Sequence, residues 1–386
     1  MPHNVIVLGA GMVGSVMAAD LAADPSLRIS IADVRDENLV KAAARAPNVT
    51  PIKADLADTA ALAKLIAPAD LVCGALASKI GFQSLRTVIQ ARKPYCDISF
   101  FSENALDLDP LAKSHGVTAV VDCGVAPGMS NMTAGYAAAY FDRCDSIAIY
   151  VGGLPRERRW PFQYKAGFAP ADVIEEYVRP SRIVENGSLV VREALSEPEL
   201  LDFPGVGTLE AFNTDGLRSL AYTLSVPHMI EKTMRYPGHI ELMRVLRHIG
   251  LFSETPVEIR DAQGNPTRIR PLDLLSTLMF PQWTFAPGEE DMTIMRIMAQ
   301  GERQGRRERL TWDLADSYHR PSAATSMSRT TAFPCSIMAR KILRGEFNQP
   351  GVHPPEVVGR IPGMLDDVLG QLRSRGVVYA FKTESL

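Results

Sequence analysis

Residues 4–14 are Asn4-Val5-Ile6-Val7-Leu8-Gly9-Ala10-Gly11-Met12-Val13-Gly14, an apolar stretch that runs directly into a glycine-rich loop. The apolar stretch predicts a buried strand, and the residues from Met12 onward predict a helix. Gly9 permits a tight turn, Gly11 a close approach of the backbone to a pyrophosphate, and Gly14 close packing of helix on strand. The free N–H groups that begin the helix favour an anion. This order of strand, loop and helix predicts a dinucleotide-binding site.

The second predicted strand ends at Asp33, about twenty residues beyond the loop. A carboxylate there accepts hydrogen bonds from ribose hydroxyls and repels a 2′-phosphate, so we expect NAD as the cofactor. Arg35 would neutralise such a phosphate, which keeps NADP possible. FAD requires the same loop, but it also requires further flavin-binding segments that we do not find in the sequence.

Further cofactor contacts are expected where later strands end at the same edge of the sheet. Asp55 follows the third predicted strand and would lie near the adenine, with a solvated loop aspartate as the alternative. Ala75 and Leu76 end the fourth strand and would line the nicotinamide ribose. The predicted cofactor-binding residues are Gly9, Gly11, Met12, Val13, Gly14, Asp33, Val34, Asp55, Ala75 and Leu76.

Short apolar runs alternate with helix-length segments in the first third of the chain. The runs are rich in Val and Ile, which predicts parallel strands buried on both faces. The fold class is therefore α/β, with a Rossmann-type doubly wound parallel sheet. The predicted strands are 4–8, 28–32, 49–52, 70–75, 94–98 and 117–121, and the predicted helices are 12–23, 36–46, 59–66, 82–90 and 104–115.

The alternation stops after Gly124, and the remaining segments predict an inserted α+β substrate and dimerisation domain. A final helical part would close the chain. The predicted strands are 145–153, 231–235 and 256–260, with a hairpin of 292–299 and 307–316 across a polar loop at 300–306. The predicted C-terminal elements are a helix at 328–343, a proline-rich turn at 349–356 and a helix near 362–374.

Composition excludes several classes of protein. The 386 residues indicate two or three domains, and a formal net charge of -3 offers no basic surface for nucleic acid. Glycines and Asp20 interrupt the apolar segment from Val5 to Ala23, so we do not expect a membrane span. No basic leader precedes the first strand, and we expect a cytoplasmic protein.

The cysteines and histidines indicate neither disulfides nor a metal. The five cysteines form no C-x-x-C pair and are odd in number, which is typical of a reduced intracellular protein. Cys73, Cys96 and Cys123 lie in apolar runs and are interpreted as small buried hydrophobic residues. The seven histidines show no metal-ligand spacing, so no metal is predicted.

Residues 121–131, Val-Asp-Cys-Gly-Val-Ala-Pro-Gly-Met-Ser-Asn, carry a more specific signal. Together with later blocks they resemble the saccharopine dehydrogenase-like family, and within it the lysine 6-dehydrogenases most closely. The resemblance extends over essentially the whole chain in order. The later blocks are 150–155, 209–214, 233–239 and 351–356.

The resemblance implies a domain organisation and a reaction. It implies a dinucleotide-binding domain at 1–124, a substrate and dimerisation domain at 125–327, and a C-terminal return to the first domain at 328–386. It also implies a homodimer or higher homo-oligomer. The implied reaction is NAD(P)-dependent oxidative deamination, with the ε-amine of L-lysine giving a semialdehyde that closes to a piperideine carboxylate.

Two other interpretations stay open. Residues 213–218, Asn-Thr-Asp-Gly-Leu-Arg, depart after Thr214 from the run expected for lysine 6-dehydrogenases. Arg218 would then serve a larger, more acidic substrate, with Arg179 as a second hint, as in saccharopine dehydrogenase or a carboxylated-polyamine reductase. The other interpretation is a non-catalytic NAD-binding protein.

Amine oxidation requires a general base, because an ammonium cannot donate a hydride and the free lysine amine has a pKa of about 10.4. Asp97 and Asp122 end the fifth and sixth predicted strands, where side chains face the cofactor crevice. His239 follows a Tyr-Pro-Gly turn and has a suitable unperturbed pKa. These three residues are the predicted catalytic candidates, with a capping carboxylate or a surface histidine as the alternative.

The substrate contacts are predicted from the family blocks and from one loop between Pro161 and Gly167, with a surface arginine and a solvated lysine as the alternatives for Arg235 and Lys165. The carboxylate of an amino acid favours a bidentate arginine, and Arg235 is the candidate. Tyr164 and Lys165 lie in a loop expected near the domain junction. Asn213 and Thr214 belong to the block 209–214. The five predicted substrate-binding residues, for a small amino acid or amine, are Tyr164, Lys165, Asn213, Thr214 and Arg235.

Overall fold

The computed structural model of the chain describes residues 2–386. Its strands are β1 (His3–Leu8), β2 (Leu27–Asp33), β3 (Thr50–Lys53), β4 (Leu71–Gly74), β5 (Tyr95–Asp97), β6 (Thr118–Val120), β7 (Arg143–Pro155), β8 (Ser181–Glu185), β9 (Ser188–Arg192), β10 (Glu199–Phe203), β11 (Gly207–Asn213), β12 (His228–Arg235), β13 (Val257–Arg260), β14 (Pro266–Ile269), β15 (Asp291–Arg303), β16 (Arg306–Ser317), β17 (Gly351–His353) and β18 (Tyr379–Ser385). Its helices are α1 (Met12–Ala22), α2 (Asp36–Arg45), α3 (Thr59–Ile66), α4 (Ser78–Gln90), α5 (Asp109–His115), α6 (Met129–Tyr140), α7 (Pro170–Val178), α8 (Leu220–Thr223), α9 (His239–His248), α10 (Pro271–Trp283), α11 (Ser326–Leu343), α12 (Pro355–Gly359) and α13 (Met364–Ser374).

A parallel sheet in the order β17-β6-β5-β4-β1-β2-β3 forms the first part of the molecule. The strand order reverses between β1 and β4, which pair in parallel with Leu8 opposite Gly74. Side chains on both faces of these two strands are buried, as the continuous apolar runs predict. The Rossmann-type doubly wound sheet is confirmed, and its ligand crevice lies at the carboxyl ends of β1 and β4.

A mixed sheet forms the second part, in the order β10-β11-β12-β7-β15-β16-β18, with β8 paired to β12 and β9 paired to β8. β7 and β12 are parallel, while β15 and β16 form a long antiparallel hairpin. The predicted loop at 300–306 is wrong, because β15 continues to Arg303 and β16 begins at Arg306. Charged residues there continue an exposed hairpin and turn only at Gln304 and Gly305, both in the left-handed region.

Two short C-terminal strands were missed. β17 lies within the predicted proline-rich turn and pairs in parallel with β6, which makes it the edge of the first sheet. β18 pairs with β16 of the second sheet, and its residues after Tyr379 are exposed. The chain after residue 328 therefore contributes one strand to each sheet, and the boundaries 1–124, 125–327 and 328–386 stay a prediction.

The two sheets share one hydrophobic core. A single cluster of buried side chains includes Val5 of β1, Ile149 of β7, Met295 of β15 and Ile337 of α11. α11 therefore packs between the sheets, and the crevice of the first sheet faces the second.

Two local features, the start of α3 and the burial of the cysteines, fit what the amino-acid sequence favours. Asp58 accepts hydrogen bonds from the N–H groups of Ala60 at 2.9 Å and Ala61 at 3.1 Å, as expected of the residue that caps α3. All five cysteines are buried.

Within residues 2–386, the helices are too short or too polar to cross a membrane, and no group of His, Cys, Asp or Glu is placed to hold a metal ion.

Candidate active site

A cavity of about 430 Å³ lies between the two sheets, at the carboxyl ends of the parallel strands. The structure places all ten predicted cofactor-binding residues on its wall. We call that side the glycine-loop wall, formed by Gly9, Gly11, Met12, Val13, Gly14, Asp33, Val34, Arg35, Asn38, Asp55, Ala75 and Leu76. The opposing side, the β12–α7 wall, is formed by Thr233 and Arg235 of β12 with Phe168, Ala169, Asp172 and Glu176.

The backbone of the glycine-loop wall has the shape that a dinucleotide requires. Gly9 has φ +97, and a Cβ there would collide with the carbonyl of Ala75. A Cβ on Gly14 would collide with the carbonyl of Gly9, so α1 packs as closely as the spacing predicts. A Cβ on Gly11 would meet nothing within 4 Å, because Gly11 faces the open cavity. These residues fit a pyrophosphate held at the first turn of α1.

Asp33 is held by the protein itself. Its Oδ2 accepts hydrogen bonds from Ala10 N at 2.8 Å and Asn38 Nδ2 at 3.1 Å, and its Oδ1 accepts one from Arg35 N at 2.8 Å. Three of its roughly four acceptor positions are thus used, so it could accept one ribose hydroxyl more readily than two. The exposed side chain of Arg35 lies beside it on the same wall.

Arg235 brings a buried guanidinium to the β12–α7 wall. Its Nη2 pairs with Glu176 Oε2 at 3.1 Å, its Nε donates to Tyr177 Oη at 3.1 Å, and its Nη1 donates to the carbonyl of Met234 at 3.0 Å. The ring of Tyr164 stacks on it, with the guanidinium carbon 4.5 Å from the ring centroid. Three of five N–H groups are used, and the guanidinium is available to a carboxylate in the cavity.

Two carboxylates share this wall, and sequence reasoning missed both. Burial raises the pKa of Glu176 although Arg235 opposes the shift, and burial also raises the pKa of Asp172. Asp172 Oδ1 accepts a hydrogen bond from Ser78 Oγ at 2.9 Å, which joins α7 to the start of α4. The sequence offers one partial signal in 172–177, Asp-Val-Ile-Glu-Glu-Tyr, where acidic side chains four apart share one face of a helix, but this spacing does not show where the helix packs.

The structure places His239 behind Arg235 and away from the cavity. Its Nδ1 lies 2.9 Å from the carbonyl of Phe162, so this nitrogen carries the proton and donates it. Its Nε2 then accepts from the hydroxyl of Tyr177 at 2.9 Å. Burial lowers the pKa of His239 to about 3, and Arg235 contributes to the lowering. A neutral imidazole that orients Tyr177 and, through it, Arg235 is the arrangement that these contacts support.

Asp97 and Asp122 do not line the cavity. Asp97 Oδ2 accepts a hydrogen bond from Tyr95 Oη at 3.0 Å, and its Oδ1 has no partner within residues 2–386. Burial, and then the proximity of Asp122, raises the pKa of Asp97 to about 7. Asp122 pairs with Arg218 through bonds of 3.1 and 3.2 Å. Arg218, predicted as a hint of an acidic substrate, is therefore already neutralised within the protein.

Four predicted substrate contacts also lie off the cavity wall. Tyr164 is buried beneath Arg235, and Lys165 pairs with Glu289 and donates to the carbonyl of Thr284. Asn213 Nδ2 donates to Glu197 at 2.9 Å. Thr214 is separated from the cavity by Thr233, with 2.8 Å between their Oγ1 atoms. Of the predicted catalytic and substrate-binding residues, Arg235 alone is on the wall.

Comparison with known proteins places this architecture in a family. A family model described as Saccharopine dehydrogenase NADP binding domain matches residues 5–120, and one described as Saccharopine dehydrogenase C-terminal domain matches residues 124–377. The solved structure of apo saccharopine dehydrogenase (L-Glu forming) from Saccharomyces cerevisiae has a TM-score of 0.80, with 19% identity over 100% of both chains. That likeness shows the fold.

Two relatives are similar in sequence over most of their length. Saccharopine dehydrogenase [NADP(+), L-glutamate-forming] of Schizosaccharomyces pombe is 24% identical over 95% of this chain and 97% of that protein. Carboxynorspermidine synthase of Vibrio cholerae is 25% identical over 90% of this chain and 91% of that protein. The chain spans about half, 47%, of the longer Alpha-aminoadipic semialdehyde synthase of Bos taurus.

The glycine loop, the parallel sheet and the cavity between two sheets define a nicotinamide-dinucleotide-dependent oxidoreductase. Because both family models match and together span nearly all of its length, the chain belongs to the saccharopine dehydrogenase family. The predicted resemblance, enzyme class and cofactor class, NAD with NADP possible, are confirmed.

Proposed function

We propose that this protein oxidises, or in reverse forms, a carbon–nitrogen bond of an amino acid, with the ε-amine of L-lysine as the first candidate. The observation that carries the proposal is the β12–α7 wall, where one guanidinium and two carboxylates face the glycine-loop wall. A guanidinium suits one carboxylate, and carboxylates suit ammonium groups. L-Lysine carries one carboxylate and two amines.

The charges of the cavity disfavour saccharopine as substrate. Arg35 and Arg235 are the two cations on the wall of the cavity, counted over residues 2–386. Arg35 lies beside Asp33 on the wall assigned to the cofactor, which leaves Arg235 for the substrate. Saccharopine carries further carboxylates, and each would enter a site that already holds Asp172 and Glu176 without a second cation.

A carboxylated polyamine is the second candidate. Such a molecule carries one amino-acid carboxylate and several amines, which suits Arg235 with both Asp172 and Glu176. The similarity to carboxynorspermidine synthase of Vibrio cholerae supports it. L-Lysine and a carboxylated polyamine differ in length and in whether the reacting nitrogen is primary or secondary.

The residues of the cavity have distinct tasks in this proposal. A dinucleotide held at the glycine-loop wall would supply hydride transfer to or from the substrate carbon. Arg235 holds the substrate carboxylate, and Glu176 and Asp172 hold the ammonium group and accept hydrogen bonds from it. Phe100 and Phe168 exclude water from the reacting carbon. Gly9, Gly11 and Gly14 hold the pyrophosphate.

NADP is the cofactor that we propose over NAD. The Asp33 carboxylate already accepts hydrogen bonds from Ala10, Arg35 and Asn38. It is therefore poorly available to the ribose hydroxyls, and the prediction of NAD rested on that contact. The exposed Arg35 and the half-buried Asn38 line the cavity beside Asp33, and in this proposal they would receive a 2′-phosphate. The match to an NADP-binding family model supports the same choice.

One assay separates these candidates. Purified protein is mixed with NAD or NADP and L-lysine, saccharopine or carboxynorspermidine, and the absorbance of the reduced nicotinamide is followed. Turnover of lysine or carboxynorspermidine without saccharopine supports the proposal. Turnover of saccharopine alone contradicts the charge argument, and tight dinucleotide binding without turnover of any amine supports a non-catalytic protein. Cytoplasmic location and a homo-oligomer stay predictions, and size measurement on the purified protein tests the latter.

A further inference from the structure

Three polar residues form a connected row that leads from the cavity into the second sheet. Thr233 lies on the cavity wall, and its Oγ1 is 2.8 Å from Thr214 Oγ1. Thr214 Oγ1 in turn lies 2.8 Å from Glu231 Oε2. All three residues are buried, at 5%, 3% and 4% exposure for Thr233, Thr214 and Glu231. The row therefore connects an inner carboxyl group to the cavity and is shielded from outside solvent.

Strand geometry fixes this row. Side chains at alternate positions of a strand share one face, so Glu231, Thr233 and Arg235 of β12 point the same way. Asn213 of β11 pairs with Lys232 of β12, which places Thr214 against Glu231 and Thr233. A Cβ on Gly216 would collide with the carboxyl group of Glu231, so the chain after β11 is shaped around that group.

We propose that Glu231, Thr214 and Thr233 form a relay that moves a proton between the reacting nitrogen and a carboxyl group outside the cavity. The proposal rests on the proposed amine oxidation, because that reaction releases protons in the cavity. Glu231 and Thr214 act through Thr233 and are positioning residues, while Thr233 touches the substrate.

The step conserves atoms and charge. The substrate ammonium gives a proton to Thr233 Oγ1, the hydroxyl proton of Thr233 passes to Thr214 Oγ1, and that of Thr214 passes to Glu231 Oε2. Each hydroxyl breaks one O–H bond and forms another. The ammonium becomes a neutral amine with a free lone pair, and the Glu231 carboxylate becomes neutral. The reverse sequence returns the proton when the carbon–nitrogen bond forms.

The surroundings of Glu231 suit a group that takes and gives a proton near neutral pH. Burial raises its pKa to about 8, and the hydrogen bond from Thr214 opposes the shift. The charged groups around it are Glu176 of α7 and Asp215 after β11, which raise its pKa, and Arg235 of β12, which lowers it. Arg182 of β8 is held by Asp215 at 2.7 Å, and Lys232 points to the opposite face toward Glu199 at 2.8 Å.

The test compares Thr233→Val, Thr214→Val and Glu231→Gln with the rescue variant Thr233→Ser. The substrate is L-lysine, or carboxynorspermidine if the wild-type protein turns over only that, and kcat and KM are measured from pH 6 to 10. Thr311→Val is the matched control, since Thr311 is buried on β16, away from the cavity, and its hydroxyl has no partner within residues 2–386. Dinucleotide affinity and Tm report folding.

We expect Thr233→Val and Thr214→Val each to lower kcat about 100-fold, at the lower end of the range typical of assisted proton transfer, with KM changed less than about twofold. A variant that combines Thr233→Val with Thr214→Val should lose no more of its kcat than either single variant, because the row acts as a unit. Glu231→Gln should abolish the pH dependence near 8, and Thr233→Ser should restore kcat. A purely structural row would lower Tm and leave the pH profile unchanged.

Two negative results are distinguishable. If the wild-type protein turns over no amine, the proposed function fails and the relay with it. If the wild-type protein is active and Thr233→Val keeps its kcat and pH profile, the relay alone is overturned. Loss of activity in Thr233→Val without rescue by Thr233→Ser would also overturn it, because serine keeps the hydroxyl.

Discussion

The two walls of the cavity are built in different ways. The glycine-loop wall gains its shape from the backbone of one short segment. A Cβ on Gly9 or Gly14 would collide with a backbone carbonyl, and one on Gly11 would extend into the cavity. The β12–α7 wall gains its chemistry from charged side chains that elements far apart in sequence bring together, such as Arg235 and Glu176. The first wall can be derived from residue spacing, whereas the second requires the tertiary structure.

The difference also separates general binding from specificity. A backbone cradle for pyrophosphate suits any nicotinamide dinucleotide. The guanidinium and the two carboxylates of the other wall select which molecule meets the cofactor. Substitutions on the glycine-loop wall should therefore affect all substrates equally, and substitutions on the β12–α7 wall should discriminate among them.

The largest effect is expected for Gly11→Val. A side chain at residue 11 would fill the space where the pyrophosphate lies, yet its Cβ meets no protein atom within 4 Å. We expect dinucleotide affinity to fall more than about 100-fold, equivalent to about 2.7 kcal/mol, with Tm unchanged. Fluorescence titration with NADP and NAD, together with thermal unfolding, measures both quantities.

Gly370→Val is the matched control for this prediction. Gly370 is exposed on α13 and is likewise free of neighbours within 4 Å of a built Cβ. Its substitution should leave dinucleotide binding intact. If Gly11→Val kept the dinucleotide affinity of the wild-type protein, the pyrophosphate would not bind at this loop.

Arg235→Met should lower kcat/KM for L-lysine about 100-fold or more, because it removes the partner of the substrate carboxylate and leaves Glu176 buried without its cation. Cadaverine, which lacks the carboxylate, should lose much less. The ratio of the two kcat/KM values measures the carboxylate contact separately from any general damage.

Arg296→Met provides the comparison for a lost arginine. Arg296 pairs with Asp313 at 2.6 Å on the β15–β16 hairpin, and neither residue lines the cavity. Both substrates should be affected equally and weakly. An equal loss for lysine and cadaverine in Arg235→Met would contradict a carboxylate clamp.

The fold could be predicted wherever burial leaves a continuous apolar signal. β1, β2, β4, β5 and β6 are largely buried strands with turn residues at their ends, and their existence follows from the sequence, whereas β3 is a more exposed edge strand. β17 has three residues, and β18 is an exposed edge strand with alternating charge. Neither buries enough apolar surface of its own to be recognised, since each depends on pairing with a strand already in place.

The candidate site was only partly predictable. Strand-end position indicated Asp97 and Asp122, but their side chains point into the protein, and Arg218 neutralises Asp122. Arg235 was found through a family block, not through its partners. Glu176 and Asp172 were missed because α7 follows a long irregular segment, and nothing in their spacing shows that α7 packs over the cavity.

His239→Gln should have a smaller effect, about tenfold on kcat/KM, because glutamine can replace the hydrogen bonds that His239 makes with the hydroxyl of Tyr177 and the carbonyl of Phe162. The shape of the pH profile should not change, since His239 stays neutral above its pKa of about 3. If the kcat/KM profile of the wild-type protein changed near pH 6.5 and that change were absent in His239→Gln, the result would instead support the general-base role predicted from the sequence.

The same residue predicts a pH dependence of stability. The pKa of His239 is lowered from 6.5 to about 3 on folding, so its neutral form is favoured in the folded protein. Its contribution is fully present above pH 6.5 and is lost as the pH falls toward 3. Urea midpoints measured between pH 7 and pH 4 should therefore decrease more for the wild-type protein than for His239→Gln. An equal decrease would show that the imidazole does not titrate on unfolding.

The smallest effect is expected for Arg35→Gln, which tests the choice of cofactor. The Asp33 carboxylate is held by the main chain of residue 35, so the substitution leaves that contact in place. We expect NADP affinity to fall about tenfold and NAD affinity to stay the same, with the difference decreasing at high salt because the contact is exposed. Arg28→Gln, at the opposite end of β2, should change neither. Equal losses of affinity for both dinucleotides would show that Arg35 does not recognise a 2′-phosphate. An unchanged affinity for NADP would favour NAD as the cofactor, as the sequence predicts.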